Sequence, residues 1–205
     1  TRRFTRVSEV LRLTTPLPDV VADDDALAAA LQGLREGSGP LGVDAERAGS
    51  YRYSQRAYLV QVYRRGAPVL LLDPVGIEDF SGLALVLAGE EWVMQAAHND
   101  LECLAEIALV PTRLFDTELA AQLLGLPKVG LASLVESHLG YEMRKGHGQA
   151  DWSARPLSES QISYAAADVT HLRRIYVALT DKLKREGRLD WVAEEMAELA
   201  SPSTY

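Results

Sequence analysis

An α/β layer architecture is what this sequence predicts, on three observations. Short apolar, β-rich runs alternate with segments whose leucines and alanines recur every three or four residues, which is the pattern of sheets layered with helices. Two of the runs flank the turn-like Arg64-Arg65-Gly66-Ala67, as the strands of a hairpin do. The chain has 205 residues, enough for one large domain or two small ones and for a core that removes about 70% of the unfolded surface from water.

Local signals place each element. Pro16 and Pro18 break the first segment, and Asp23, Asp24 and Asp25 offer N-caps to a helix over 26–35, with Leu27, Leu31 and Leu34 on one face. Gly37 and Gly39 stop it. A short strand is expected at 41–46, then the hairpin strands at 58–63 and 68–73, a helix near 80–87 and a buried strand at 92–97. The next helix carries Leu101, Leu104, Ala105 and Ala108 at the 3.6 period. Beyond Pro111 the pattern turns mainly helical, at 117–124, 131–139 and about 158–186. Between the last two lies an aperiodic stretch, 140–156, with Arg144, Lys145 and Trp152; a loop of that size inside a domain is often functional. The expected organisation is an N-terminal segment over 1–22, one domain over 23–198 and a tail over 199–205.

Composition narrows the class. With 47% hydrophobic and 24% charged residues, disordered and fibrous chains are excluded. The single cysteine, Cys103, allows no internal disulfide, fits a reducing compartment and sits on an apolar helix face as core. Residues 1–15 lack the apolar stretch of a secretory signal and no run approaches 18 apolar residues, so a cytoplasmic protein without a membrane partner is expected. The net charge of −8 repels a polyanion unless some of those carboxylates converge on divalent cations.

Three acidic groupings carry chemistry. Asp44 and Glu46 sit two apart at a strand end, so both carboxylates project to one side and can share a cation; a merely hydrated strand end has the same spacing. Asp100, just past the strand at 92–97, reads either as an N-cap of the following helix or as a third carboxylate at the sheet edge where α/β folds place ligands. Tyr164 and Asp168, four apart in a helical window, share one helix face, and the three alanines between them permit close approach to another backbone. They serve equally as the rim of a packed helix.

Taken together, Asp44-Ala-Glu46, Asp100 and Tyr164-x-x-x-Asp168 resemble, in order and spacing, the three exonuclease motifs of the DEDD 3′-to-5′ exonucleases. Tyrosine four before the last aspartate, with Ser163 where the other branch has histidine, resembles the tyrosine branch. Within it, Leu72-Asp73-Pro74-Val75-Gly76-Ile77, Asp100-Leu101-Glu102, Phe115-Asp116-Thr117 and Asp151-Trp152-Ser153-Ala154-Arg155-Pro156-Leu157 are similar to ribonuclease D, over about 23–195. That family usually continues into helical HRDC domains, toward which residues 199–205 would be the start of a linker.

The resemblance implies a ribonuclease H-like mixed sheet of about five strands flanked by helices. It implies a metal-dependent 3′-to-5′ exoribonuclease that trims tRNA precursors and other small structured RNAs to nucleoside 5′-monophosphates. Two divalent ions about 3.5–4 Å apart would clamp the attacking and leaving oxygens, and hard oxygen ligands suit Mg²⁺ or Mn²⁺. Asp44 would bridge both ions, Glu46 and Asp168 would complete the water-bearing site, Asp100 would serve the second ion, and Tyr164 would orient the water. Candidate substrate contacts are Ala45, His98, Asn99, Arg144, Lys145 and Trp152, with Arg47, Arg52 and Arg56 also near the first motif. Arginines and lysines in loops need no such role, Trp152 could equally anchor its loop, and His98 and His171 read as polar rim. A DNA exonuclease of the proofreading or Werner type keeps the same chemistry. A catalytically idle nucleic-acid-binding module would have no reason to tolerate the repulsion among four clustered carboxylates.

Overall fold

The computed structural model describes residues 9–10, 16–49, 51, 53–143 and 146–201. In chain order the elements are β1 (Glu9–Val10), β2 (Val20–Val21), α1 (Asp24–Glu36), β3 (Ser38–Arg47), β4 (Ala57–Arg65), β5 (Leu70–Leu72), α2 (Ser81–Leu87) and β6 (Glu91–Met94). A 3₁₀ turn (Ala97–Asn99) follows, then α3 (Leu101–Ala105), β7 (Arg113–Asp116), α4 (Thr117–Leu123), α5 (Leu131–Leu139), β8 (Tyr141–Glu142), α6 (Glu159–Arg185) and α7 (Leu189–Leu199).

Six strands form one mixed sheet in the order β2-β5-β4-β3-β6-β7, and β1 and β8 pair separately. The hairpin supplies the antiparallel members: β3 with β4 and β4 with β5, the remaining pairs being parallel. The sixth strand, Val20–Val21, belongs to a stretch whose prolines mask it in the sequence.

Period-two alternation along β3 assigns its two faces. Leu41, Val43 and Ala45 join the core built with Leu27, Leu31 and Leu34 of α1 and with α2. Each of the three leucines contributes about 1.5–3 kcal/mol by burial, and Asp23 caps their helix by accepting from Ala26 N at 2.8 Å. The even positions face α6. A Cβ on Gly42 would lie 2.8 Å from Val169 O, so helix and strand touch backbone to backbone at that point. Ala165 and Ala166 are buried in the same layer.

Several boundaries differ from what the sequence predicts: α3, for one, ends at Ala105, short of Ala108, which takes a left-handed conformation (φ 60°). β6 ends at Met94 rather than 97, because Ala96 takes a left-handed conformation (φ 51°) and opens the 3₁₀ turn. β3 runs on from Ser38 to Arg47 across Gly39, whose φ of 81° only glycine adopts freely. β7 and α7 are elements that the sequence pattern does not announce. Among the described residues, no helix is long and apolar enough to cross a membrane.

Candidate active site

The sheet brings the acidic groupings together at one edge. Asp44 and Glu46 point from β3 toward α6, and Tyr164 and Asp168 look back from the second and third turns of that helix. The helix starts from a reciprocal capping box, Ser158 with Gln161, which fixes its first turn and so its axial position. Because β6 runs parallel to β3 with Gly42 opposite Val93, the chain leaving β6 emerges level with Asp44 and delivers Asp100 beside it.

Ligand oxygens of Asp44, Glu46 and Asp168 lie within 4.8 Å of one another. Asp100 is 7% exposed and joins them through a side-chain hydrogen bond to Asp44. It sits at the N-cap position of α3 but makes no side-chain cap bond, which settles the alternative raised by its sequence position. The one cation paired with this group among the described residues is Arg47, 3.9 Å from Asp100.

Four carboxyls with one arginine cannot all carry charge cheaply. Burial raises Asp44 to about 6, against an ordinary 3.8, although the Ala45 N–H (2.9 Å) and Asp100 pull it back. Glu46, Asp100 and Asp168 are pushed well above their ordinary ranges, by burial first and then by the negative charge of Asp44 and their other neighbours. Burial, with the charges of Asp168, Glu46 and Asp44, also raises the Tyr164 phenol, whose hydroxyl donates to Asp168.

Several neighbours hold these groups, and most were invisible in sequence. Gln61, fully buried on β4 opposite Asp44, donates Nε2 to Glu46 at 3.3 Å, while its Oε1 has no partner among the described residues. Trp152 is fully buried in a cluster with Leu59, Leu71, Leu157 and Ala165, and its Nε1 donates to His147 O at 3.2 Å. No ring face is left for a base, so Trp152 leaves the set of substrate contacts and acts as the anchor of its loop. It lies 6.1 Å from the Tyr164 ring, with His147 at 5.5 Å on the same tyrosine.

Ala45 is buried and lines, with Glu46, Arg47 and Asp100, a cleft of about 240 Å³ whose far wall is the segment Gly148, Gln149 and Ala150. His98 and Asn99 are exposed on the 3₁₀ turn beside Asp100. His171 is turned into the core: it is 2% exposed, its Nδ1 lies 2.6 Å from Ala167 O, and its ligand atoms are not among those that converge. The Cys103 thiol, pushed up to about 12 mainly by burial, donates to Asp100 O at 3.1 Å. Arg47 is engaged with Asp100 and with Gln55 Oε1 at 3.2 Å; Arg56 donates to Pro74 O at 3.3 Å and lies 5.7 Å from the Tyr58 ring centre. Arg52, Arg144 and Lys145 lie outside the described residues.

Residues 18–184 match the family described as 3′-5′ exonuclease. The chain belongs to that family. Among its relatives, ribonuclease D of Gluconacetobacter diazotrophicus is 39% identical over 194 residues, covering 93% of this chain and 49% of that protein. A protein from Bifidobacterium adolescentis superposes with a TM-score of 0.90 at 35% identity, over 94% of this chain and 48% of the other. Escherichia coli RNase D, described as an exoribonuclease involved in structured RNA processing, superposes at 0.78 and 32% identity, over 86% and 48% of the two chains. The chain thus spans about half the length of the ribonuclease D relatives it matches. With these neighbours the six-stranded sheet is ribonuclease H-like.

Proposed function

We propose that this chain is a metal-dependent 3′-to-5′ exoribonuclease of the ribonuclease D kind, acting in the cytoplasm on the 3′ ends of tRNA precursors and other small structured RNAs. One observation carries the reading: three carboxylates converge within 4.8 Å, with Asp100 bonded to Asp44, and Glu46 and Asp100 line the adjoining cleft. The donor set is all oxygen, which suits Mg²⁺ or Mn²⁺. Mutual repulsion with one arginine for relief is the electrostatic state that divalent cations reverse, making the same place attractive to phosphate.

Asp44, Glu46 and Asp168, whose ligand oxygens converge, would hold one cation, and Asp100, bonded to Asp44, would serve the second. When bound, such ions neutralise the phosphoryl oxygens, lower the pKa of a bound water and assist the leaving 3′-oxygen. Tyr164 keeps its proton at neutral pH, so its part is to donate or accept a hydrogen bond that aims the water, not to act as the base. Gln61 fixes the Glu46 carboxylate, and His98 and Asn99, exposed on the turn beside Asp100, would be contacts for the terminal nucleotide. The RNA preference draws support from the ribonuclease D relatives.

Product analysis on a structured RNA with a 3′ tail, beside a DNA oligomer of matched sequence, tests the reading. The expected result is Mg²⁺-dependent, stepwise shortening with release of nucleoside 5′-monophosphates, slower on DNA and lost in Asp44→Ala. A preference for DNA overturns the RNA assignment, and trimming that persists in Asp44→Ala overturns the site.

A further inference from the structure

We infer that Asp116 is a positioning residue that fixes where Asp100 stands and so tunes the grip of the carboxylate cluster on divalent cations; the inference rests on the reading above. Asp116 ends β7 and is 2% exposed. Its carboxylate accepts from four backbone N–H groups. Two belong to α4, Glu118 at 2.8 Å and Leu119 at 3.3 Å, and constitute an ordinary helix cap. The other two reach across to the turn after β6: Ala96 at 3.1 Å to Oδ1 and Ala97 at 2.8 Å to Oδ2.

A cap alone needs one oxygen, and here both are engaged. The turn they hold is one that requires holding, because Ala96 lies in the left-handed region (φ 51°, ψ 51°), which a residue with a Cβ adopts unfavourably. Charge-assisted bonds to its own N–H and the next one restrain it there. Asp100 follows within a single 3₁₀ turn, its N–H donating to Ala97 O at 2.9 Å. A chain of short bonds therefore runs from Asp116 through Ala97 to the backbone of Asp100, whose side chain meets Asp44. In metal sites, groups that orient the ligands typically change metal affinity or activity about 10- to 100-fold when removed.

The test compares Asp116→Asn with Leu87→Ala, a core truncation on α2 remote from the cluster, at matched loss of Tm. Asp116→Asn keeps one acceptor oxygen: placed as Oδ1 it preserves the cap and the Ala96 bond while an NH₂ faces the Ala97 N–H, and in the flipped orientation it keeps Ala97 but gives up Ala96 and the cap together. The expected results are faster amide exchange at Ala96 and Ala97, Mn²⁺ affinity reduced about 10- to 100-fold by direct titration, a higher Mg²⁺ concentration for half-maximal activity, and an unchanged KM for RNA at saturating metal. Leu87→Ala should keep wild-type Mn²⁺ affinity. Wild-type affinity in Asp116→Asn, or an equal loss in Leu87→Ala, overturns this inference alone. A wild-type protein that binds no Mn²⁺ at the cluster overturns the proposed function and this inference with it.

Discussion

Arg155 grips Asp73 with two prongs, Nε to Oδ2 at 2.8 Å and Nη2 to Oδ1 at 2.9 Å, across 82 residues of chain. The same guanidinium donates to Trp152 O, Ala154 O and Tyr58 O at 2.7–2.8 Å, so one side chain ties the loop before α6 to both β4 and the end of β5. That loop carries Trp152, which in turn packs near Tyr164.

Arg155→Ala should therefore unseat the loop and blunt catalysis together. Loss of this bidentate, hydrogen-bonded pair costs about 1–3 kcal/mol, the lower part of the range applying because the arginine is one-third exposed. Thermal denaturation and steady-state kinetics check it, with kcat falling more than KM rises. Burial alone would raise the Asp73 carboxyl, but the Arg155 bonds and charge and the Val75 N–H hold it below its ordinary 3.8. Its contribution to stability is present above that value and lost as pH falls below it, so the gap between wild type and Arg155→Ala should narrow in strong acid.

The metal-free protein should lose stability as pH rises. Asp44 titrates near 6 in the fold and near 3.8 unfolded, so the folded state binds more protons in that window. Stability present below about pH 4 then declines as pH passes through 6. Millimolar Mg²⁺ should raise Tm strongly at pH 7.5 and little at pH 5, measured by scanning calorimetry. Equal stabilisation at both values would contradict a carboxylate origin for the effect.

Gly42→Ala should damage the site from below. The added methyl meets Val169 O at 2.8 Å, and since that oxygen is backbone and the Cβ is fixed to the strand, α6 has to move. Overpacking of this kind costs about 1–3 kcal/mol, and the shift parts Asp168 from Asp44, so activity should fall further than the Tm loss accounts for. Gly39→Ala, in open space but at positive φ, should destabilise without that excess effect on kcat.

Tyr164→Phe removes a hydroxyl that donates to Asp168 and leaves its ring against Trp152. Loss of one positioned hydrogen bond at the reacting water should lower kcat roughly 10- to 100-fold with Tm nearly unchanged. An unaltered kcat would remove Tyr164 from the chemistry.

Much of this was legible in the sequence because it depends on short-range period and order. Leu27, Leu31 and Leu34 announced α1, and the acidic motifs stood in readable spacing. What stayed hidden depends on tertiary pairing. Arg155 and Asp73 are ordinary loop residues until the fold makes them neighbours, and Gln61 is one polar residue in an apolar strand until Glu46 faces it. Val20–Val21 and Arg113–Asp116 are too short to show alternation, and β7 merges with the helix that Asp116 caps. Trp152 could be exposed or buried on sequence alone; only the pocket formed by β4, β5 and α6 decides that it is core.

Anomalous diffraction from crystals soaked in Mn²⁺ bears most directly on the central claim. Two peaks about 3.5–4 Å apart, bounded by Asp44, Glu46, Asp100 and Asp168, are the result expected, with Asp44 touching both. A map without density among these four carboxylates, or with manganese bound only elsewhere on the molecule, would contradict it.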